Sequence, residues 1–279
     1  MIPTYRVLHP ELPVAGLRQQ CALGVMIKAP RAGASKTRLS PPLTPIEAAE
    51  LSACFLRDTV NNIAGAGLSE PAAGIAVYTP VGAEAAFDGM LPEEFSLLAQ
   101  RGEAFGDRLF YATQDLLAVG YESLCLIDSD SPTLPTAWLA WAARSLKAPG
   151  DRVVLGPSAD GGYYLIGLKR AHRHLFTDVV WSTEQVLAQT IQRAAEINLA
   201  VELLPTWYDV DDAASLAELC AEFWPDHPPG EHKGSTGYAA PHTRRYIEQI
   251  IAVEGDKRIW PNRPMKPTRP MMEELTTHA

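Results

Sequence analysis

Residues 22–39 read ALGVMIKAPRAGASKTRL. The first eight are almost continuously apolar, as a strand buried on both faces of a parallel sheet must be, and they break into a loop of Pro, Gly and Ser that carries Lys28, Arg31, Lys36 and Arg38. Behind the loop, Thr44-Pro45 is a helix start signal, residues 46–63 (IEAAELSACFLRDTVNNI) have helical periodicity, and Gly65 and Gly67 follow. GIAVYT at 74–79 then supplies a second strand and closes a βαβ unit. The expected class is α/β, built around a mainly parallel central sheet.

The rest of the chain repeats this alternation. Residues 84–100 are acidic and are expected to hold a short helix. Helices are expected at 107–119, 135–146, 183–197 and 213–223, and strands at 123–127, 152–155, 163–168 and 201–205. After Trp224 the composition changes: residues 225–279 hold 8 of the 23 prolines and balance eight basic against seven acidic residues, with a helical pattern only at 243–253. The expected division is an N-terminal extension (1–21), a core domain (22–224) and a Pro-rich C-terminal extension (225–279), which suits a length of 279 residues.

Apolar residues make up 47% and charged residues 20%, a globular balance, and no run reaches the ~18 apolar residues of a membrane span. A membrane-embedded protein is therefore not expected. The net charge of −9 argues against a nucleic-acid partner, because phosphates would be repelled. The cations are nevertheless segregated: between Leu12 and Ile46 there is no Asp or Glu, while Arg18, Lys28, Arg31, Lys36 and Arg38 fall inside that window. Four scattered cysteines without metal-ligand spacing, and an N-terminus without a signal pattern, point to the cytoplasm.

Four constellations carry chemistry. In open α/β sheets the ligand crevice lies beyond the carboxyl ends of the strands, so the 28–39 loop belongs at its mouth. Gly33 and Ser35 would let backbone approach an anion, and Lys28, Arg31, Lys36 and Arg38 would neutralise phosphate oxygens; neither GxxxxGK[ST] nor GxGxxG is present. Asp128-Ser129-Asp130 ends an apolar strand, and strand alternation would put both carboxylates on one side with Ser129 opposite. Such a pair suits Mg²⁺ or Mn²⁺ bridging carboxylate and phosphate oxygens, or else serves as turn residues. Asp209 and Asp211 offer a second carboxylate arm, while Asp212 reads as the cap of the next helix. In Gly156-Pro-Ser-Ala-Asp160-Gly161-Gly162-Tyr163-Tyr164 the glycines would allow close approach to a polar ligand, and only one of the two tyrosines can line the pocket. Ser182, with Gln185 three residues on, reads as a helix cap in preference to an acceptor contact shared with Thr183.

The ordered set KAPRAGASKTRL (28–39), QRGEAFGDRL (100–109), LIDSDSPTLP (126–135), GPSADGGYYLIGL (156–168), WST (181–183) and DVDD (209–212) resembles the bacterial glycosyltransferase-like family associated with radical-SAM and selenodomain proteins. That family is similar to phospholactate and molybdenum-cofactor guanylyltransferases of the nucleotide-diphospho-sugar transferase superfamily. The resemblance covers about residues 22–222. It implies a GT-A-like, Rossmann-like three-layer α/β/α sandwich with a mainly parallel central sheet. It also implies nucleotide phosphates on Lys28, Lys36 and Arg38 with Arg108 in support, and a divalent metal on Asp128 and Asp130 with Asp209 or Asp211. Acceptor or sugar would lie against Asp160, Gly161, Gly162 and Tyr163. Ala159 stands where this motif often has an acid, leaving Asp160 as its only carboxylate.

The expected reaction is metal-dependent transfer of NMP from an NTP to a phosphate- or phosphonate-type small molecule with release of pyrophosphate, catalysed by Lys36, Arg38, Asp128 and Asp130. A cluster of cations beside the first strand matches a leaving pyrophosphate. A glycosyltransferase using a nucleotide-diphospho-sugar is the alternative, since a metal on the DxD pair would then supply most of the neutralisation. A non-catalytic nucleotide-sugar-binding or scaffold protein is the third reading. The expected partners are the nucleotide and its acceptor, and a homodimer is an allowed assembly.

Overall fold

Cys21–Lys28 forms the expected strand and lies in the middle of an eight-stranded sheet. The computed structural model describes residues 5–29, 36–224 and 236–261. The strands are β1 (Arg6–Val7), β2 (Cys21–Lys28), β3 (Ala72–Thr79), β4 (Ser96–Ala99), β5 (Ser123–Ile127), β6 (Arg152–Pro157), β7 (Tyr163–Leu168) and β8 (Ala200–Leu203), in the spatial order 1-4-3-2-5-7-6-8. Every pairing is parallel except those of β7, which runs against β5 and β6. The helices are α1 (Pro45–Gly67), α2 (Phe105–Val119), α3 (Thr136–Lys147), α4 (Val186–Glu196), α5 (Ala213–Phe223) and α6 (Pro241–Glu254).

Alternation along β2 divides the core. Leu23, Val25 and Ile27 pack with α1, α3, α5 and α6, whereas Ala22, Ile75, Val77 and Leu126 face α2 and α4. The result is the three-layer α/β/α sandwich with a mainly parallel central sheet. From β2 the chain crosses through α1 to β3 on one side and later enters β5 on the other, so the loops leaving β2 and β5 part company at the carboxyl edge. This is the place where α/β sheets open a ligand crevice.

Local chemistry explains most boundaries. Thr44 accepts from the Glu47 amide while the Glu47 carboxylate accepts from the Thr44 amide, a complete capping box with Pro45 at the first turn. α1 continues through Gly65 and Gly67 instead of stopping before them; a methyl group on Gly67 would stand 3.3 Å from the Ala72 carbonyl, so the glycine lets β3 approach. Two strands have no counterpart in the sequence reading. β4 falls within the acidic 84–100 stretch, and β1 lies before residue 22. β1 extends the sheet edge beside β4, and the preceding residue, Tyr5, donates its hydroxyl to the Leu91 carbonyl at 2.9 Å.

The C-terminal helix α6 lies on α1. Its first turn has no side-chain cap of its own; instead the buried Asp58 of α1 accepts from the amides of His242 (3.1 Å) and Thr243 (2.7 Å). Beyond α6, Arg258 donates to the Pro42 carbonyl at 3.0 Å and pairs with Glu47. Among the described residues no helix is long and apolar enough to cross a membrane.

Candidate active site

The loop after β2 decides the electrostatics of the crevice. Lys28 is exposed at the strand's end; Arg31, Gly33 and Ser35 lie outside the described residues. At Lys36 the backbone is left-handed, with φ of 50°, before a single helical turn at Thr37–Leu39 anchored by the buried Leu39. That conformation turns the lysine inward. Its ammonium donates to the Val210 carbonyl (2.8 Å) and pairs with Asp211 (2.7 Å) and Asp130 (2.8 Å), and only 6% of the side chain remains exposed. An ammonium has three protons, so all of them have protein acceptors. Burial alone would push the Lys36 pKa down, but the two carboxylates outweigh it and hold it above the ordinary lysine value. Arg38 differs: 76% of its side chain is exposed, and its nearest carboxylate, Asp211, is 3.5 Å away. Lys28, Lys36, Thr37 and Arg38 line a cavity of about 390 Å³ whose other wall includes Ser129 and Asp130.

The acidic segments meet at this wall, where the Val210 amide donates to the Asp130 carbonyl at 2.9 Å. Residues 128–130 do not keep strand alternation. The Asp128 carboxylate accepts from the Asp130 amide (3.3 Å) and from Ser131 (3.1 Å), which bends the chain, so Ser129 faces the site together with both acids. Asp209 accepts from Ser158 at 2.8 Å. The four expected metal ligands thereby separate into two pairs. Asp130 and Asp211 share the Lys36 ammonium; burial would raise the Asp211 carboxyl, but Lys36 and Arg38 draw it below its usual value. Asp128 is pushed well above the carboxylate range by burial and by the charges of Asp130 and Asp209, and burial together with Asp160 and Asp211 raises Asp209 against the Ser158 hydrogen bond.

Among the described residues no group of three or more His, Cys, Asp or Glu is already disposed around a metal ion. Of the four carboxylates expected to hold one, Asp130 and Asp211 are neutralised by Lys36. Asp128 and Asp209, both raised chiefly by burial, are the pair whose charge a divalent cation would relieve. Two carboxylates supplemented by phosphate oxygens and water are an ordinary Mg²⁺ donor set, so these residues fit the ion. Asp212, as expected, caps α5, accepting from the amides of Ala214 (3.0 Å) and Ser215 (2.9 Å).

A second cavity, of about 330 Å³, adjoins the first through Met26, Ser129 and Asp130. The Asp160-Gly161-Gly162 turn forms one wall, with Asp160 accepting from the Gly162 amide at 2.8 Å. Gly161 has φ of +90°, and a methyl group there would come within 2.2 Å of the Glu184 carbonyl oxygen, so the turn and the 182–187 segment require a glycine between them. Tyr163 and Tyr164 point to opposite faces of the sheet, the first into the α2/α4 layer, the second buried with its hydroxyl on the Pro205 carbonyl at 3.0 Å, yet both line the cavity, against the expectation that only one could. Ser182 and Thr183 line the cavity, but Ser182 is not a helix cap: it is left-handed (φ 62°), α4 starts only at Val186, and Thr183 takes the local role, donating to the Val180 carbonyl.

Arg108 lines neither cavity; it donates to the carbonyls of Gly102 (3.4 Å) and Glu103 (3.2 Å) and so braces the turn before α2. Sequence reasoning missed the aromatic rim, Phe105 edge-on to Trp181 with ring centroids 5.2 Å apart. Gly106 beside it was the available signal: a methyl group there would meet the Trp181 ring nitrogen at 2.7 Å. Ser158, the Asp209 partner, was likewise missed inside its motif.

Residues 65–183 match the family described as "Uncharacterized protein conserved in bacteria (DUF2064)". No curated protein matches the sequence. Among solved structures, a Desulfovibrio desulfuricans G20 protein provisionally described as a nucleotide-diphospho-sugar transferase is 26% identical, with a TM-score of 0.69 over 84% of this chain and 96% of its own. CMP:2-keto-3-deoxy-manno-octonic acid synthetase complexed with CTP is 13% identical (72% of this chain, 98% of its own, TM-score 0.45). A Mycobacterium tuberculosis H37Rv protein in complex with manganese is 18% identical (69% and 92%, TM-score 0.41). Residues 65–183, which include Asp128, Asp130 and the Asp160 turn, thus match the DUF2064 model, and the likeness to the Desulfovibrio structure shows a GT-A-like fold.

Proposed function

We propose that the protein is a metal-assisted nucleotidyltransferase that moves NMP from an NTP to a small-molecule acceptor and releases pyrophosphate. The observation that carries this reading is the division of the crevice: one cavity holds the exposed cations Lys28 and Arg38, the other holds carboxylates and aromatic rings, and Ser129 and Asp130 stand between them. A substrate strongly anionic at one end and not at the other fits that division. The likeness to the Desulfovibrio protein, described as a transferase of nucleotide-diphospho-sugars, supports a transferase in general and is shared by the nucleotidyl and glycosyl readings.

Lys28 and Arg38 bind the outer phosphates, where charge builds as pyrophosphate departs. Lys36 holds Asp130 and Asp211 in fixed positions and keeps their charge from the incoming triphosphate. Asp128 and Asp209 would hold the divalent ion, which when bound offsets phosphate charge beside them. The Asp160 turn, Tyr163, Ser182 and Thr183 orient the acceptor so that its attacking oxygen lies in line with the leaving group. The described cysteines, Cys21, Cys54, Cys125 and Cys220, are all free thiols, in keeping with action in the cytoplasm.

The test is product identity. With Mg²⁺, an NTP and an acceptor, pyrophosphate should be released, and Asp128→Asn should lose that activity with its thermal melt unchanged. Release of only a nucleoside diphosphate from a UDP- or GDP-sugar would reject nucleotidyl transfer. It would establish the second reading, glycosyl transfer, which a cavity with aromatic rings and with no Lys, Arg or His among its described lining residues favours as a seat for a donor sugar.

A further inference from the structure

The two cavities differ in the sign of their charge. Among the described residues lining the 330 Å³ cavity there is no Lys, Arg or His, while Asp128, Asp130, Asp160 and Asp209 all face it. Lys36, which pairs with Asp130, lines the other cavity. A divalent ion on Asp128 and Asp209 would be taken up with the triphosphate, leaving Asp160 at the rim without a cation. With Asp128 and Asp209 engaged by the ion and Asp130 by Lys36, a phosphate or phosphonate acceptor entering here would meet the Asp160 carboxylate and no free donor cation among the described lining residues, an arrangement that disfavours anions.

What the cavity does offer is specific. Carboxylate oxygens accept strongly from hydroxyl groups. Ser182 and Thr183 add hydroxyls, and the Phe105 and Trp181 rings form an apolar rim on which the C–H face of a ring or a carbon chain can rest. Phe105 is 48% exposed, so this rim is open to an incoming molecule. The volume of about 330 Å³, at the small end of ligand sites, is ample for a simple sugar.

We propose that the acceptor is a non-anionic, hydroxyl-bearing small molecule of polyol or sugar type, and that the carboxylate-lined cavity excludes phosphorylated acceptors. The proposal rests on the nucleotidyl-transfer reading and replaces the phosphate-type acceptor expected from sequence. In the transfer, an acceptor hydroxyl oxygen bonds to the α-phosphorus and the bond from that phosphorus to the bridging oxygen of pyrophosphate breaks. The electron pair leaves on pyrophosphate, and the hydroxyl proton passes to an Asp160 oxygen and on to water.

Saturation-transfer NMR on the full chain with Mg²⁺ tests binding apart from turnover, using glucose and mannitol against glucose 1-phosphate and mannitol 1-phosphate. The neutral members should bind at least tenfold more tightly than their esters. Trp181→Ala should weaken them about tenfold, and Asp160→Lys should shift the preference toward the esters. Esters binding as well as the parent alcohols, or no binding by either neutral probe, would overturn the proposal. Binding of the neutral probes without pyrophosphate release from any NTP would instead reject nucleotidyl transfer and leave the acceptor class standing.

Discussion

Replacing Lys36 by methionine keeps the side-chain stem near the Phe55 ring, whose centroid lies 5.7 Å from the ammonium, and removes only the charge. Breaking a fully buried ion pair from one side costs about 3–5 kcal/mol, and an exposed pair about 0.2–1 kcal/mol. Here the lysine is 6% exposed, but Asp130 and Asp211 are 37% and 33% exposed, so water can resolvate the stranded carboxylates in part. The expected destabilisation is about 2–3 kcal/mol, or a fall in Tm of roughly 5–10 °C for a chain of this size. Urea unfolding of Lys36→Met, Asp211→Asn and the double variant should give a coupling of about 1–2 kcal/mol. The pH dependence is specified too. The raised Lys36 pKa makes its contribution complete below the ordinary lysine value and lost only as pH rises through the folded value. The lowered Asp211 pKa makes its contribution complete above the ordinary carboxylate value and lost only as pH falls through the folded one. The gap between wild type and Lys36→Met should therefore be flat from about pH 5 to 9. A loss below about 0.5 kcal/mol, or coupling indistinguishable from zero, would refute the view that Lys36 organises these carboxylates.

Three further outcomes follow from the same geometry. Arg38→Ala, at a largely exposed side chain, should leave urea stability within about 0.5 kcal/mol but weaken NTP binding about tenfold, ~1.4 kcal/mol, by calorimetry. Gly161→Ala should cost about 2–3 kcal/mol, because positive φ and the Glu184 carbonyl both oppose a side chain, and it should also weaken binding of neutral acceptors. Asp58→Asn should loosen α6 toward limited proteolysis. Burial raises the Asp58 pKa, so its contribution to wild-type stability is complete below the ordinary carboxylate value and fades as pH rises through the folded value; the deficit of the variant should thus be larger at pH 4 than at pH 8.

What could be read from sequence was what is local and long. β2 and α1 announce themselves because one is a continuous buried run and the other carries a full capping box. Asp212 is legible as a cap for the same reason, its partners lying two and three residues away. β1 and β4, with two and four residues, are too short for a period to emerge. At the site, residue types pointed to the right loops, but their pairing could not be foreseen. Strand alternation fails at Asp128 because its carboxylate binds the backbone two residues on, and Lys36 reaches Asp130 and Asp211 through a left-handed turn that no pattern of side chains announces. Ser182 looked like a cap because only spacing was visible, while its backbone conformation was not.

The strand order bears on where this molecule can be divided. The segment that matches the DUF2064 model begins at residue 65 and ends at residue 183, yet β3 and β5 inside it are not neighbours: β2, from outside, lies between them and bonds to both. A gene fragment trimmed to the family boundaries would therefore lose the middle plank of the sheet, leaving two half-sheets with raw inner edges. Excision at those limits should yield aggregates, and any recombination of this fold with a relative has to carry residues 21–28 along with the segment they join.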